Sequence, residues 1–225
     1  MQLTTNNIDN FYIRHSIFKS IKASTKYFNG SLLDAGCGKM PYKDYLLNNS
    51  NINKYTSIDV ENALSYDKEV APDYRWDGVK IPFKDCSFDT VFATEVLEHC
   101  DNPQLFIDEC HRVLVQDGIL FFTVPFLWPL HETPHDEFRY TPYALERLFT
   151  QSGFSNIIIN ALGGWNASLA VMLGLWGKRY LLGKKSTLIC PILKVVIKYL
   201  ISNDKVPLNF SEGLMITGLY GIIRK

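Results

Sequence analysis

The sequence lacks an excess of charge of either sign, a closely spaced cysteine pair and a long uninterrupted apolar run. Its 225 residues carry 23 basic and 23 acidic side chains, so the formal net charge is zero. Proteins that bind nucleic acids usually carry a basic excess, and we therefore expect no nucleic acid partner. The content of hydrophobic residues, 47%, is typical of a globular chain and argues against a disordered, collagen-like or coiled-coil protein.

The cysteines also constrain where the protein works. There are five, with no CxxC pair among them: Cys37, Cys86, Cys100, Cys110 and Cys190. An odd number without paired spacing indicates reduced thiols instead of a disulfide framework or a zinc site. The first residues, MQLTTNNIDNFY, show no basic stretch followed by an apolar core, as a secretory signal would. We therefore expect a cytoplasmic protein.

Predicted strands and helices alternate up to residue 160, with short connections. This alternation predicts a doubly wound, mostly parallel α/β sheet. Residues 161–213 interrupt the rhythm with two apolar stretches, and the remaining residues end in a further strand, so a helical insertion precedes the last strand. We predict a core formed by residues 1–160 and 214–225 and an inserted element formed by residues 161–213.

Glycines and acidic residues follow the first two predicted strands. The first strand ends in Asp34-Ala35-Gly36-Cys37-Gly38, where glycines permit a tight turn and a close approach of backbone to ligand. Asp59 ends the second strand, where a carboxylate is suited to bind the two hydroxyls of a ribose. An ordinary tight turn and a solvated aspartate are the alternatives at these two places.

Four motifs in order resemble those of class I S-adenosylmethionine-dependent methyltransferases. They are LLDAGCG, YTSIDV, WDGVKIPFKDCSFDTVFATEVLEH and DGILFFTVP, and the resemblance spans residues 31–160. It implies a seven-stranded Rossmann-like sheet and S-adenosylmethionine as cofactor. A nicotinamide dehydrogenase would instead show GxGxxG, but the third residue after Gly38 is Pro41.

The same resemblance implies roles for six residues of the cofactor site. Asp34 and Gly36 would lie near the methionine moiety, and Gly38 would keep the turn open. Asp59 would hold the ribose. At the adenine edge the resemblance places Asp77 and Gly78. Many relatives have a third glycine where this chain has Met40, so the contact at that position differs.

Glu95, Glu98 and His99 follow the strand FDTVFA. In a short helix beginning near Thr94 they would share one face, and two carboxylates with an imidazole suit a divalent cation such as Mg²⁺. The spacing ExxEH is similar to that of metal-dependent O-methyltransferases of quinone biosynthesis and of small-RNA ends. Alternatively, Glu95 interacts favourably with the dipole at the N-terminus of the helix, and His99 forms a hydrogen bond with a neighbouring residue.

A second polar cluster, residues 131–139, follows the strand FFTVP. A neutral histidine can accept a hydroxyl proton, so His135 or His131 is a candidate base or metal ligand. Glu95 and His99 are the other two candidate catalytic residues. An Asp136–Arg139 ion pair that fixes the loop is the structural alternative. The string PHDEFRYT resembles a methyltransferase subgroup associated with bacterial surface-polysaccharide assembly, which implies O-methylation of a saccharide.

The zero net charge conceals two segments of opposite sign. Residues 1–160 hold 14 basic and 21 acidic side chains, whereas residues 161–225 hold 9 and 2. Basic, apolar helices are typical of contact with the surface of an anionic membrane, here expected through residues 161–205 on its inner face. A lid over the acceptor pocket and a homodimer interface are the alternatives.

Three functions remain open from the sequence alone. The first is O-methylation of a saccharide or saccharide-linked hydroxyl by an S-adenosylmethionine-dependent enzyme. The second is metal-assisted O-methylation of a quinone-type or other small molecule. The third is a non-catalytic, S-adenosylmethionine-binding subunit that supports a partner enzyme.

Overall fold

The structure is a computed structural model that describes residues 2–61, 71–181 and 184–225, with the side chains of 184–188 left out. The described helices are α1 (Phe11–Ser24), α2 (Lys43–Asn49), α3 (Pro103–Val113), α4 (Pro142–Gln151), α5 (Trp165–Tyr180) and α6 (Lys184–Ser202). The strands are β1 (Asn29–Ala35), β2 (Asn51–Val60), β3 (Tyr74–Trp76), β4 (Phe88–Thr94), β5 (Leu114–Pro125), β6 (Asn156–Leu162) and β7 (Gly218–Arg224).

The seven strands form one sheet in the order β3-β2-β1-β4-β5-β7-β6. The pairs β1–β2, β1–β4, β2–β3 and β4–β5 are parallel. Two hydrogen bonds show that β7 is antiparallel to β6. The amide of Ser155 donates to the carbonyl oxygen of Arg224 at one end, and the amide of Thr217 donates to the carbonyl oxygen of Leu162 at the other. The doubly wound, mostly parallel fold predicted from the sequence is therefore confirmed.

Local signals in the sequence explain where two helices begin. The side chain of Asn102 accepts a hydrogen bond from the amide of Leu105, and Pro103 follows as the first residue of α3. At the start of α4 the side chain of Thr141 accepts a hydrogen bond from the amide of Ala144, and Pro142 is the first residue of the helix. Helix α2 begins at Lys43, whose amide donates to the carbonyl oxygen of Met40 and so closes a turn before the helix.

The chain divides into two compact units. The larger comprises residues 23–125, 130–159 and 220–225, and the smaller comprises residues 1–22, 126–129 and 160–219. The N-terminal residues, which the sequence pattern assigns to the core, thus group with the inserted segment. In the larger unit, Phe28, Phe92 and Phe121 form a fully buried aromatic cluster, with ring centroids 5.3–6.1 Å apart.

The smaller unit has its own buried cluster, formed by one face of α5, one face of α6 and the N-terminal residue Ile8. Gly174 allows the close approach of the N-terminal segment, since a Cβ there would lie 2.2 Å from the carbonyl oxygen of Ile8. Asp204, just beyond α6, accepts hydrogen bonds of 2.9 Å from the amides of Gly164 and Ala167. These bonds satisfy free amides in the first turn of α5 and join the two helices.

Candidate active site

The glycine turn after β1 has the geometry that the sequence predicts. The amides of Gly36 and Cys37 donate to the carbonyl oxygen of Ile58, at 2.9 and 3.2 Å. Gly36 has a φ of +76°, and a Cβ at this position would lie 2.5 Å from a methyl carbon of Val96. The turn therefore requires glycine both for its conformation and for its close approach to the segment after β4.

Asp59 lies beside this turn at the carboxyl end of β2. Its carboxylate accepts hydrogen bonds from the amide of Gly38, at 3.1 Å, and from the amide of Val60, at 2.9 Å. Burial raises the pKa of Asp59, and the two amides partly offset that rise. These contacts fix the carboxylate of Asp59 relative to the glycine turn.

Asp34 is buried, and its carboxylate accepts a hydrogen bond from the hydroxyl of Tyr55. Burial raises the pKa of Asp34 to about 7, although the hydrogen bond from Tyr55 acts in the opposite direction. The sequence reasoning missed Tyr55. The parallel register that pairs Asp34 with Ser57 could have indicated it, since Tyr55 lies two positions before Ser57 on the same face of β2.

Asp77 and Gly78 follow β3. The carboxylate of Asp77 is exposed and accepts hydrogen bonds from the amides of Val79 and Lys80, at 2.8 and 3.0 Å. These bonds hold the pKa of Asp77 below its usual range. Gly78 has a φ of +80°. Asp77 thus shapes its own turn, with one carboxylate oxygen accepting both amides.

The prediction of a short helix beginning near Thr94 is wrong. Only a 3₁₀ turn, Leu97–His99, forms here, and Glu95 lies outside it with a φ of +56°. The amide of Glu95 donates to the carbonyl oxygen of Thr123, and the Thr123 hydroxyl donates to its carboxylate at 2.8 Å. Glu95, Glu98 and His99 therefore share no helical face. Burial raises the pKa of Glu95.

The structure instead groups Glu98 and His99 with His131. One ligand atom from each of the three lies within 4.8 Å of the others, and Glu95 does not belong to this group. The Glu98 carboxylate is fully buried, and neither of its oxygens has a hydrogen-bond partner among the residues that the structure describes. Burial, with the nearby Glu95 carboxylate, raises the pKa of Glu98 well above its usual value. A buried carboxylate without donors next to two imidazoles is suited to bind a cation.

The two imidazoles of this group differ in their surroundings. Nδ1 of His99 lies 2.8 Å from the backbone carbonyl oxygen of His135. Nε2 of His99 lies 3.8 Å from Glu98 and 4.0 Å from Glu132. Nδ1 of His131 lies 3.3 Å from the carboxylate of Asp136. Burial lowers the pKa of His131, which favours its neutral form.

His135 is exposed, and its backbone carbonyl oxygen is the group that contacts His99. The geometry therefore separates the two histidines that the sequence left equal. His131 joins the group with Glu98 and His99, and its ring centroid lies 4.8 Å from that of His99. Sequence reasoning also missed the contribution of Glu132. Its place within the polar segment 131–139 was the available signal.

Comparison with known proteins adds to this geometry. Residues 33–122 match a family described as a methyltransferase domain. A search of curated protein sequences gives no significant match. Because the family match covers the strands that carry the glycine turn and Asp59, the residues that the resemblance assigned to S-adenosylmethionine lie within the matched region.

Several solved structures share the fold. An S-adenosylmethionine-dependent methyltransferase from Archaeoglobus fulgidus is 14% identical with a TM-score of 0.58, over 96% of this chain and 100% of that one. One from Mesorhizobium loti is 13% identical with a TM-score of 0.57, over 93% and 98%. The phosphoethanolamine N-methyltransferase 2 of Haemonchus contortus, in complex with S-adenosylmethionine, is 13% identical with a TM-score of 0.58, over 99% and 57%.

At these identities the structural likeness shows the fold, and the family match adds the domain type. Together they support an enzyme and leave no role for the nicotinamide alternative. Residues 33–122 match a methyltransferase domain, and the fold that carries them is shared with S-adenosylmethionine-dependent methyltransferases.

Proposed function

We propose that this methyltransferase transfers its methyl group to a hydroxyl of a saccharide or saccharide-linked acceptor. The observation that carries the proposal is the placement of His99. Its Nδ1 faces the carbonyl oxygen of His135 at 2.8 Å, so Nδ1 carries the proton and Nε2 is left as the acceptor in the neutral ring. A histidine oriented in this way is suited to remove a proton from a hydroxyl.

Two acidic side chains lie near Nε2 of His99. Glu98 and Glu132 lie 3.8 and 4.0 Å from Nε2, and the Glu98 carboxylate is buried. Burial favours the protonated form of Glu98, so the exposed Glu132 carboxylate is the group that can accept a hydrogen bond from Nε2 once His99 has taken the hydroxyl proton. His131 is the alternative base, because burial favours its neutral form and the Asp136 carboxylate lies 3.3 Å from its Nδ1.

The cofactor would be held by the residues beside the glycine turn. Asp59 would accept hydrogen bonds from the ribose hydroxyls, Asp34 and Gly36 would lie near the methionine moiety, and Asp77 with Gly78 near the adenine. Bound S-adenosylmethionine supplies a methyl group on a sulfonium, which the acceptor oxygen displaces in line. The carbon–sulfur electron pair stays on sulfur, and the hydroxyl proton passes to Nε2 of His99.

The saccharide follows from the motif resemblance at residues 134–141 and from the polar character of the segment. Six of the nine residues 131–139 are His, Asp, Glu or Arg, and such side chains bind hydroxyl groups through hydrogen bonds. The nucleotide sugars of cell-surface glycans are therefore the first acceptors to test.

A matched pair of variants tests the role of His99. His99→Ala removes the imidazole, whereas His135→Ala removes only an exposed ring and keeps the carbonyl group that orients His99. We expect release of S-adenosylhomocysteine with a nucleotide-sugar panel to fall at least about 100-fold in His99→Ala and less than about threefold in His135→Ala. Equal losses in the two variants would contradict the assignment of His99 as the base.

A metal-assisted O-methyltransferase of a quinone-type or other small molecule is the second candidate. The observation that favours it is the Glu98 carboxylate next to His99 and His131, because its two buried oxygens have no hydrogen-bond partner in the described part of the chain. The carbonyl group of His135 would orient His99 as a ligand. A set of one carboxylate and two imidazoles suits Zn²⁺, Mn²⁺ or Co²⁺ better than the Mg²⁺ that the sequence suggested.

The metal is tested by a readout that does not depend on turnover. We expect Co²⁺ added to the chelator-treated protein to give a visible absorption band that Glu98→Gln and His131→Ala remove. Glu137→Gln, an exposed carboxylate in the same segment, is the matched control and should keep the band. If turnover is unchanged in EDTA and the wild type gives no cobalt band, the metal-assisted alternative is excluded and His99 acts as the base without a metal.

A non-catalytic, cofactor-binding subunit is the third reading, and binding of S-adenosylhomocysteine without turnover on any acceptor would support it. For the cellular setting we propose a cytoplasmic protein at the inner face of the membrane. Among the described residues no helix is long and apolar enough to cross a membrane. A homodimer remains the alternative use of residues 161–213.

A further inference from the structure

Helix α5 exposes five large apolar side chains along one side. They are Trp165, Leu169, Met172, Trp176 and Tyr180, here named the α5 stripe, and each is between 46% and 74% exposed. Their spacing of three or four residues places them on a single face. The opposite face is buried and contains small residues, among them Ala167, Ala170 and Gly174. The helix is therefore apolar on two sides, and its larger side chains lie on the outer one.

Helix α6 repeats this arrangement. Ile192, Val195, Val196 and Tyr199, here named the α6 stripe, are 39–70% exposed and lie at positions i, i+3, i+4 and i+7. The side of α6 that packs against α5 carries Cys190, Leu193 and Ile197, which are buried. Each helix thus packs one face into the core of the smaller unit and leaves a second apolar face exposed.

The charges carried by α5 and α6 themselves have one sign. No Asp or Glu occurs between residues 161 and 203. The basic residues of this range with described side chains are Lys178, Arg179, Lys194 and Lys198, of which Lys194 is half-buried and the others are exposed. Two copies meeting through these faces would bring like charges together, whereas an anionic surface complements them.

We propose that the α5 and α6 stripes form a docking surface for an anionic lipid membrane. The ring of a tryptophan or tyrosine prefers the boundary between headgroups and acyl chains, and basic side chains bind the headgroups. The contact is peripheral, with the helices lying on the membrane surface. The proposal extends beyond the methyl transfer, and its test reads membrane binding without reference to activity.

Co-sedimentation of the full chain with vesicles tests the proposal. We expect the protein to pellet with vesicles of phosphatidylcholine and phosphatidylglycerol at low salt, to remain in the supernatant with pure phosphatidylcholine, and to be released as salt is raised. Failure to pellet with the anionic vesicles at low salt would overturn the proposal, whatever the catalytic activity of the protein.

Two sets of variants separate the apolar and the electrostatic parts. Trp176→Ser combined with Tyr199→Ser removes one aromatic ring from each stripe, and Tyr27→Ser combined with Tyr143→Ser is the control with exposed aromatics elsewhere. Lys194→Glu combined with Lys198→Glu reverses two charges, and Lys54→Glu with Lys84→Glu makes the same net change on exposed residues outside the two helices. Circular dichroism verifies that each variant is folded.

We expect each stripe variant to bind anionic vesicles at least about tenfold more weakly, and each control to differ from wild type by less than about threefold. Equal losses in a stripe variant and its control would overturn the proposal. So would an ultracentrifuge result in which the wild type is a dimer that Trp176→Ser with Tyr199→Ser converts to a monomer, because the stripes would then be a subunit interface.

Discussion

Arg139 and Asp136 face each other through two hydrogen bonds, of 2.6 and 2.8 Å, between the guanidinium and the two carboxylate oxygens. The Asp136 side chain is only 1% exposed, and it also accepts the amide of His131 at 3.1 Å. The ion pair that the sequence offered as a purely structural alternative is thus present. It also orients His131, so the structural and the functional interpretations of this loop coincide.

This geometry predicts a large effect of Arg139→Ala. The substitution leaves a carboxylate in a site almost closed to water, without its bidentate partner, and should lower the free energy of unfolding by about 3 kcal/mol. Urea denaturation measures the change. If the cost comes from the uncompensated charge, Asp136→Asn in the same chain should restore part of the loss. An Arg139→Ala variant as stable as wild type would show that the pair contributes nothing.

The glycine turn predicts a contrast between two substitutions. Gly36 and Gly213 have nearly the same φ, +76° and +75°, so alanine strains the backbone at both. That strain costs about 1–2 kcal/mol. At Gly36 the new methyl group also meets Val96 at 2.5 Å, whereas at Gly213 no atom of the described residues lies within 4 Å. We therefore expect Gly36→Ala to destabilise the protein more, and to weaken S-adenosylhomocysteine binding, which Gly213→Ala leaves unchanged.

Denaturant titration and calorimetry of the two variants check this contrast. Equal losses of stability would mean that the loop carrying Val96 moves away at little cost. The turn would then be less rigid than the packing indicates.

Much of the fold was predictable because the decisive signals are local. Asn102-Pro103 and Thr141-Pro142 mark the starts of α3 and α4, and the apolar runs before Asp34 and Asp59 mark two parallel strands. The glycine turn follows from sequence as well, because only glycine adopts its conformation without strain.

The arrangement of the second polar cluster was not predictable in the same way. The spacing of Glu95, Glu98 and His99 matches a helix, but the amide and carboxylate of Glu95 both bond Thr123 on the neighbouring strand. That contact depends on the pairing of β4 with β5, which residue spacing does not contain. The meeting of His131 with His99 depends on the path of a loop 32 residues later in the chain.

Asp59 gives a direct test of cofactor binding. Asp59→Asn keeps an oxygen that accepts the amide of Gly38 but loses the charge and one acceptor for the ribose hydroxyls. We expect calorimetry to show S-adenosylhomocysteine binding at least about tenfold weaker, which is about 1.4 kcal/mol. Asp44→Ala, an exposed acid on α2, serves as the control and should bind as wild type does. Unchanged affinity in Asp59→Asn would remove this residue from the cofactor site.

Asp34 predicts how stability depends on pH in the cofactor-free protein. Its pKa is raised to about 7 in the folded state, against about 3.9 in an unfolded chain. Below pH 3.9 both states hold the proton, and the contribution of Asp34 to stability is fully present. Between about pH 4 and 7 only the folded state holds it, so stability falls as pH rises, by at most about 1.4 kcal/mol per pH unit.

Asp34→Asn removes this titration while keeping an oxygen that the Tyr55 hydroxyl can bond. Its free energy of unfolding should therefore fall less between pH 5 and pH 7 than that of wild type. Contributions from Glu95 and Glu98 have the same sign but are common to both proteins, so the difference between the two slopes isolates Asp34.

Tyr55→Phe should act in the opposite direction, because the hydrogen bond from Tyr55 lowers the pKa of Asp34. Without it, the fall in stability should extend above pH 7. Identical slopes in wild type, Asp34→Asn and Tyr55→Phe would show that Asp34 is ionised in the folded protein throughout this range, and that water reaches the base of the glycine turn.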